Sequence, residues 1–255
     1  MSPTRTVLIT GAAGRIGRFL REGLHGRYEL RLLDVVPQEP ARRGEQLVQV
    51  DLLDRDRADA ALSGCDAVVH LAAIPREAPF DDIVRANVET TYSVFEGARR
   101  AGVRRVVFAS SNHATGFYGR DELVTPSTPV RPDSYYGVSK VFGEALGRLY
   151  ADKHGLEVVC LRLGAFKERP LDERDLAMWL SPPDCLELVV ASLEASVGFL
   201  VAYGISANTR RWYADDGWAA LGYRPSDDAE RFAADVERRT RPSFDRQGGE
   251  FTRTP

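Results

Sequence analysis

Apolar positions along this chain gather into short, nearly continuous runs separated by longer amphipathic stretches. Runs rich in Val, Ile and Leu occur at TVLIT (6–10), YELRLLD (28–34), LVQVD (47–51), DAVVHLA (66–72), RRVVFAS (104–110) and EVVCLRL (157–163). These runs lack the strict alternation of half-exposed strands and read as strands covered on both faces. Between them, residues 15–24, 54–62, 80–101 and 136–154 repeat apolar positions at helical spacing. Strand and helix in that rhythm predict a parallel sheet with helices on both sides, and right-handed crossovers make it a doubly wound α/β domain.

The pattern changes after residue 164. A charged connector, KERPLDERD, leads to helical text at 184–195, one more strand at GFLVAY (198–203) and short helices at 215–221 and 227–238. We expect residues 1–164 to form the core, 165–239 a small substrate-binding cap with the remaining sheet and helices, and 240–255 an extended tail. Trp212 and Trp218 read as anchors of that cap.

Composition narrows the function without naming it. The 255 residues are 44% hydrophobic and 28% charged with a net charge of −3, so neither nucleic acid nor a membrane surface is an expected partner. No apolar run approaches the roughly 18 residues of a membrane-spanning helix. Cys65, Cys160 and Cys185 are far apart, which suggests neither a disulfide framework nor a metal site, and a reducing cytoplasm is the expected location.

The chemistry begins where the first strand ends. TGAAGRIG places Gly11, Gly14 and Gly17 between a strand and a helix, with Ala13, Arg15 and Ile16 in the same loop. Gly11 allows the tight turn, Gly14 lets the backbone approach a pyrophosphate, and Gly17 lets the helix pack close; this is the context of a Rossmann dinucleotide site. Asp34 closes the second strand, where a carboxylate accepts from adenosine ribose hydroxyls and repels a 2′-phosphate, favouring NAD. Asp51 and Leu52 follow the third strand at the expected adenine edge, and Leu71, Ala72 and Ala73 follow the fourth, where small residues leave room for a flat cofactor.

In SYYGVSKVFGE, Tyr136 and Lys140 are four apart and share a helix face, whereas Tyr135 and Lys140 diverge. Tyr136 is therefore the expected general base, with the Lys140 ammonium lowering its pKa and holding the nicotinamide ribose. Ser110 and Ser111 end the fifth strand, where a hydroxyl can donate to a reacting oxygen.

Together TGxxGxxG, an aspartate after the second strand, a serine after the fifth and YxxxK resemble the extended short-chain dehydrogenase/reductase (SDR) family. The serine-to-tyrosine spacing of that family selects Ser111, and its helix asparagine, which supports the lysine, corresponds to Asn87. SSNHATGFYG (110–119), RPDSYYGVSK (131–140), MWLS (178–181), YGISANT (203–209) and QGGEF (247–251) further resemble uronate dehydrogenases. The resemblance implies NAD-dependent oxidation of the C1 hydroxyl of a hexuronic acid to an aldarolactone. Ser111 and Asn112 would hydrogen-bond sugar oxygens, His113 would line the same pocket, Arg174 would bind the carboxylate, and the protein would be a homo-oligomer. The chain departs from that family at Pro75 and Ala165, where serines are expected, and carries extra cations at Arg76, Lys167 and Arg169. A sugar phosphate or neutral aldose is therefore the alternative substrate. A nucleotide-sugar epimerase or dehydratase and a non-catalytic NAD-binding protein are further alternatives.

Overall fold

Seven strands form one sheet in the order β3-β2-β1-β4-β5-β6-β9, every neighbouring pair parallel. They are β1 (Thr6–Thr10), β2 (Glu29–Asp34), β3 (Glu45–Gln49), β4 (Ala67–His70), β5 (Arg105–Ser111), β6 (Glu157–Leu163) and β9 (Phe199–Gly204). A computed structural model describes residues 5–239 and 244–253. The strand order reverses between β1 and β4, which opens a crevice at their C-terminal ends, where open α/β sheets bind ligands.

The near-continuous apolar runs become strands because both faces of the sheet are covered. On one face Val7, Ile9, Val107 and Leu161 pack with Leu20 and Leu24 of α1 (Arg15–Leu24) and Leu188 of α7 (Pro182–Glu194). On the other, Leu8, Val68, Val106 and Val158 pack with Leu62 of α2 (Arg55–Leu62), Phe95 of α4 (Thr90–Ala101) and Tyr150 of α5 (Tyr135–His154). Adjacent strand residues thus supply opposite layers, as period two requires.

Helix 80–101 is not uniform. It opens as α3 (Phe80–Ile83), widens into a π-helical stretch at Val84–Glu89 and resumes as α4. Apolar periodicity carries no sign of such a widening, which often accompanies a functional region. The expected third strand is displaced two residues toward the N-terminus, at Glu45–Gln49, where it pairs with Leu30–Asp34 of β2 at the edge of the sheet.

The C-terminal third adds β9 to the main sheet and a two-stranded parallel pair, β7 (Ala165–Phe166) with β8 (Trp179–Leu180), flanking α6 (Asp175–Met178). Two short helices, α8 (Trp218–Leu221) and α9 (Ala233–Arg239), follow. Trp212 and Trp218 are buried in the main core, the latter donating from Nε1 to the Tyr203 carbonyl at 2.8 Å.

The expected extended tail is folded where it is described. Gly249–Thr252 forms a 3-10 turn, and Gln247 is fully buried, its backbone N–H donating to the Tyr118 carbonyl at 2.9 Å. Its side-chain Nε2 donates to the carbonyls of Gly119 and Glu122, both at 2.8 Å. Those backbone partners hold the segment against its own chain, which a polar, glycine-rich composition does not reveal.

Candidate active site

A cleft of about 930 Å³ runs along the C-terminal ends of the strands. At one end lies the glycine loop. Gly11 has a left-handed φ of +70°, and a Cβ there would stand 2.8 Å from the Ala72 amide nitrogen. A Cβ on Gly17 would collide with the Gly11 carbonyl, so the start of α1 approaches β1 only without side chains. Gly14 is the N-cap of α1 and no side chain caps that helix, which leaves its N-terminal dipole open to an anion in the cleft. Ala13, Gly14, Arg15, Ile16 and Gly17 all line the cleft.

Asp34 is held by its own backbone surroundings. One carboxylate oxygen accepts from Ala13 N at 2.9 Å, and the other from Val35 N at 2.8 Å and Val36 N at 3.3 Å. It therefore ties the end of β2 to the glycine loop while presenting negative charge to the cleft. Asp51, Leu52, Leu71, Ala72 and Ala73 line the same space.

At the other end stands α5. Ser134 caps it by accepting from Gly137 N at 3.0 Å, and Glu77, arriving from the loop after β4, accepts from the amides of Tyr135 and Tyr136, each at 3.1 Å. Neither Glu77 nor its role was legible in the sequence. The two tyrosines then part company. Tyr135 is half exposed beside Phe80, whereas Tyr136 is 9% exposed and lines the cleft with Lys140.

Lys140 Nζ lies 5.5 Å from the Tyr136 ring centroid and 5.1 Å from that of Phe108. Among the described residues it has no carboxylate partner, and burial draws its pKa down to about 8. Burial also pushes Tyr136 up to about 12, the Ser111 hydroxyl opposing. The expected lowering of Tyr136 by Lys140 is thus not achieved by the protein's own groups. Desolvation dominates, and the ammonium gives up its proton before the phenol does.

Ser111 is buried at the end of β5 and caps the 3-10 turn Asn112–Thr115, its oxygen accepting from His113 N at 3.2 Å. That leaves its own proton to donate. Ser110 also lines the cleft, but its hydroxyl is turned to Glu144, to which it donates at 2.5 Å. His113 Nδ1 meets the Asp133 carboxylate at 2.7 Å, and its ring stacks on Phe251 at 3.9 Å and stands edge-on to Tyr136 at 5.8 Å. Burial, against the opposing Asp133, lowers the His113 pKa and favours a neutral ring.

Arg174 also lines the cleft. Its Nε donates to the Gln247 carbonyl at 2.6 Å, and with the Asn112 amide turned to the orientation that satisfies both of its ends, Nη2 donates to the Asn112 amide oxygen at 3.0 Å. The Asn112 amide nitrogen donates in turn to the Leu163 carbonyl at 3.1 Å. Among the described residues no carboxylate forms an ion pair with Arg174; the neighbouring Glu173 pairs with Arg120 instead.

Asn87, expected to support Lys140 beside the cofactor, is not among the residues that line the cleft. Its amide faces the loop after β4 and α5: Oδ1 accepts from Ile74 N at 2.8 Å, and Nδ2 donates to Ile74 O at 3.2 Å and to Ser139 Oγ at 3.0 Å. Ser139 Oγ donates to the Tyr136 carbonyl at 2.7 Å. Asn87 thus links the loop after β4 to the tyrosine's own turn of helix. Of the three extra cations only Lys167 reaches the cleft, and it is paired with Asp175 at 2.6 Å. Arg76 and Arg169 are exposed, while Pro75 and Ala165 line the cleft as apolar walls.

Residues 7–166 match the model of the NAD dependent epimerase/dehydratase family. The chain belongs to that family. Within the NAD dependent epimerase/dehydratase family it is 40% identical to a uronate dehydrogenase from Pseudomonas putida, over 98% of this chain and 96% of that protein. The crystal structure of a uronate dehydrogenase mutant from Agrobacterium tumefaciens complexed with NAD superposes with a TM-score of 0.95 at 41% identity, covering 99% of this chain and 98% of that one. An NAD-dependent glucose-6-phosphate dehydrogenase from Haloferax volcanii is 38% identical over 91% of this chain and 97% of that protein. The extended SDR resemblance and the doubly wound fold are borne out by these matches and by the parallel sheet.

Proposed function

We propose that this protein is an NAD-dependent dehydrogenase that oxidises the C1 hydroxyl of a hexuronic acid, glucuronate or galacturonate, to the aldarolactone. One observation carries the reading. Tyr136, Lys140 and Ser111 share the far end of the glycine-loop cleft with Arg174, a guanidinium that has no carboxylate partner among the described residues.

The residues fit NAD. Gly11, Gly14, Gly17 and the open start of α1 suit a pyrophosphate, and Asp34 suits two ribose hydroxyls and disfavours NADP. Lys140 would donate to the nicotinamide ribose. Bound NAD supplies the hydride acceptor. Tyr136 takes the proton of the C1 hydroxyl as the C1–H electron pair departs and C1=O forms, and Ser111 donates to that oxygen throughout. Arg174 offers a fork to the substrate carboxylate, a geometry that Lys does not reproduce. With Nδ1–H donated to Asp133, His113 presents Nε2 as an acceptor.

A purified sample would be followed by absorbance of the reduced cofactor, with NAD and then NADP, against glucuronate, galacturonate, glucose 6-phosphate and glucose. Turnover of the uronates with NAD is the expected result. Preference for glucose 6-phosphate would overturn the substrate assignment. The Haloferax volcanii relative motivates that arm, although the pairing of Lys167 with Asp175 speaks against it. Exposed Phe80, Tyr135 and Val138 on α3 and α5 support a homo-oligomer. Among the described residues no helix is long and apolar enough to cross a membrane.

A further inference from the structure

Behind the cleft wall lies a buried polar chain that the proposed chemistry does not use. Glu144 sits one turn beyond Lys140 on α5, on the face that carries Tyr136. Arg162 of β6 grips it with two parallel bonds, Nε to Oε1 at 2.9 Å and Nη2 to Oε2 at 2.8 Å. Ser110, the neighbour of Ser111 on β5, donates to the same Oε1 at 2.5 Å. Arg162 Nη1 reaches the Tyr203 hydroxyl at 3.2 Å, which meets Thr115 Oγ1 at 2.8 Å, and Thr115 Oγ1 donates to the Asn112 carbonyl at 3.2 Å. Glu144 and Arg162 are both buried and neither lines the cleft.

A buried ion pair is a weak source of stability, since apolar residues of similar volume often do as well. Fixed relative geometry is what this one supplies. Tyr136 and Lys140 ride on α5, whereas Ser111 and Asn112 ride on the end of β5, and Glu144 is bonded from α5 to both β5 and β6. We infer that Glu144 and Arg162 are positioning residues that set the register of the Tyr136 helix against the Ser111–Asn112 strand end. Strand alternation makes this possible: consecutive serines point to opposite sides, one into the reaction space and one into the clamp.

The inference rests on the dehydrogenase reading, and its test separates the two. Ser110→Ala removes one tie, and the double variant Glu144→Leu/Arg162→Met removes the pair without leaving a lone buried charge. With the uronate assay, kcat should fall about tenfold in the first and about 100-fold in the second, because small misplacements of reacting groups are costly. NAD affinity, measured by calorimetry, should stay within about threefold, since the glycine loop and Asp34 are remote from the clamp. The phenolate absorbance of Tyr136 in the NAD complex, taken as the difference from Tyr136→Phe, should titrate at higher pH in the double variant, Ser111 no longer being held opposite the phenol. Wild-type turnover or an unshifted titration in a folded variant overturns the inference. Should the double variant not fold, Ser110→Ala decides it. A wild-type protein silent toward uronates would sink the substrate assignment, while the titration would still judge the clamp.

Discussion

Replacing Lys140 with Met leaves a helix former of similar length and deletes the cation beside Tyr136. In the protein's own field the two groups lose protons in an unhelpful order, Lys140 near pH 8 and Tyr136 near 12. A positive nicotinamide ring beside the phenol would favour the arrangement with charged Lys140 and ionised Tyr136. The stake can be worked from the geometry. Lys140 Nζ stands 5.5 Å from the Tyr136 ring centroid, and for a charge separation of that order the ammonium and a phenolate attract by about 3 kcal/mol at an effective dielectric near 20, or about two pKa units.

Lys140→Met should therefore move the acid limb of the kcat/KM profile upward by about two pH units. At a pH below both limbs, turnover should drop about 100-fold and recover as pH rises. The assay is initial-rate oxidation of the best uronate at saturating NAD in buffers of constant ionic strength, with NAD binding measured separately. A loss of the same factor at every pH would refute the electrostatic argument and leave Lys140 as a ribose ligand alone.

Arg174→Met should raise KM for a uronate about 30-fold while leaving that for NAD unchanged, as loss of a charge-assisted fork predicts; an unaltered KM would remove Arg174 from the carboxylate. Asp34→Ala should raise KM for NAD and narrow the preference over NADP by about tenfold, because the repelling charge and the tie to Ala13 go together. The Glu45 side chain, covered by Arg21 and Arg42 on the half-buried edge strand β3, is pushed up by burial but held near 2 by those two guanidiniums. A depressed carboxylate stabilises the fold above its ordinary value of 4.5, and that contribution is lost as pH falls through 2. Melting temperature measured between about pH 6 and about pH 3 should thus decline more steeply in the wild type than in Glu45→Gln, which should already be less stable at the upper end.

How far the sequence reaches can be seen by comparing residues. The strands declared themselves through runs such as VLIT and RVVFAS, because a parallel sheet buries both faces and leaves little room for polar alternation. Tyr136 was separable from Tyr135 on helical geometry alone, and the burial of one and exposure of the other agree. Gly11 and Gly17 were legible because only the lack of a Cβ permits their contacts. The pKa order was not legible, since it depends on how much water the fold excludes around Tyr136 and Lys140, a property of the packed cleft.

Other parts of the site were hidden because they are made by bonds to the main chain across long separations. Arg174 is steered by the Gln247 carbonyl, 73 residues away, and the first turn of α5 by Glu77, 58 and 59 residues before its partners. A carbonyl or amide has no residue type, so such a bond leaves no motif. Asn87 is a case in point: its residue type suits a lysine-supporting role, but its bonds to the Ile74 backbone and to Ser139 could not be read from the sequence. What those bonds share is direction. The Glu77, Asn87 and Gln247 bonds each join a loop or tail to the elements bearing Tyr136 or Arg174. The groups proposed for the chemistry are readable from sequence because their chemistry fixes their type, whereas the groups that aim them are bonded through the backbone, which carries no residue type.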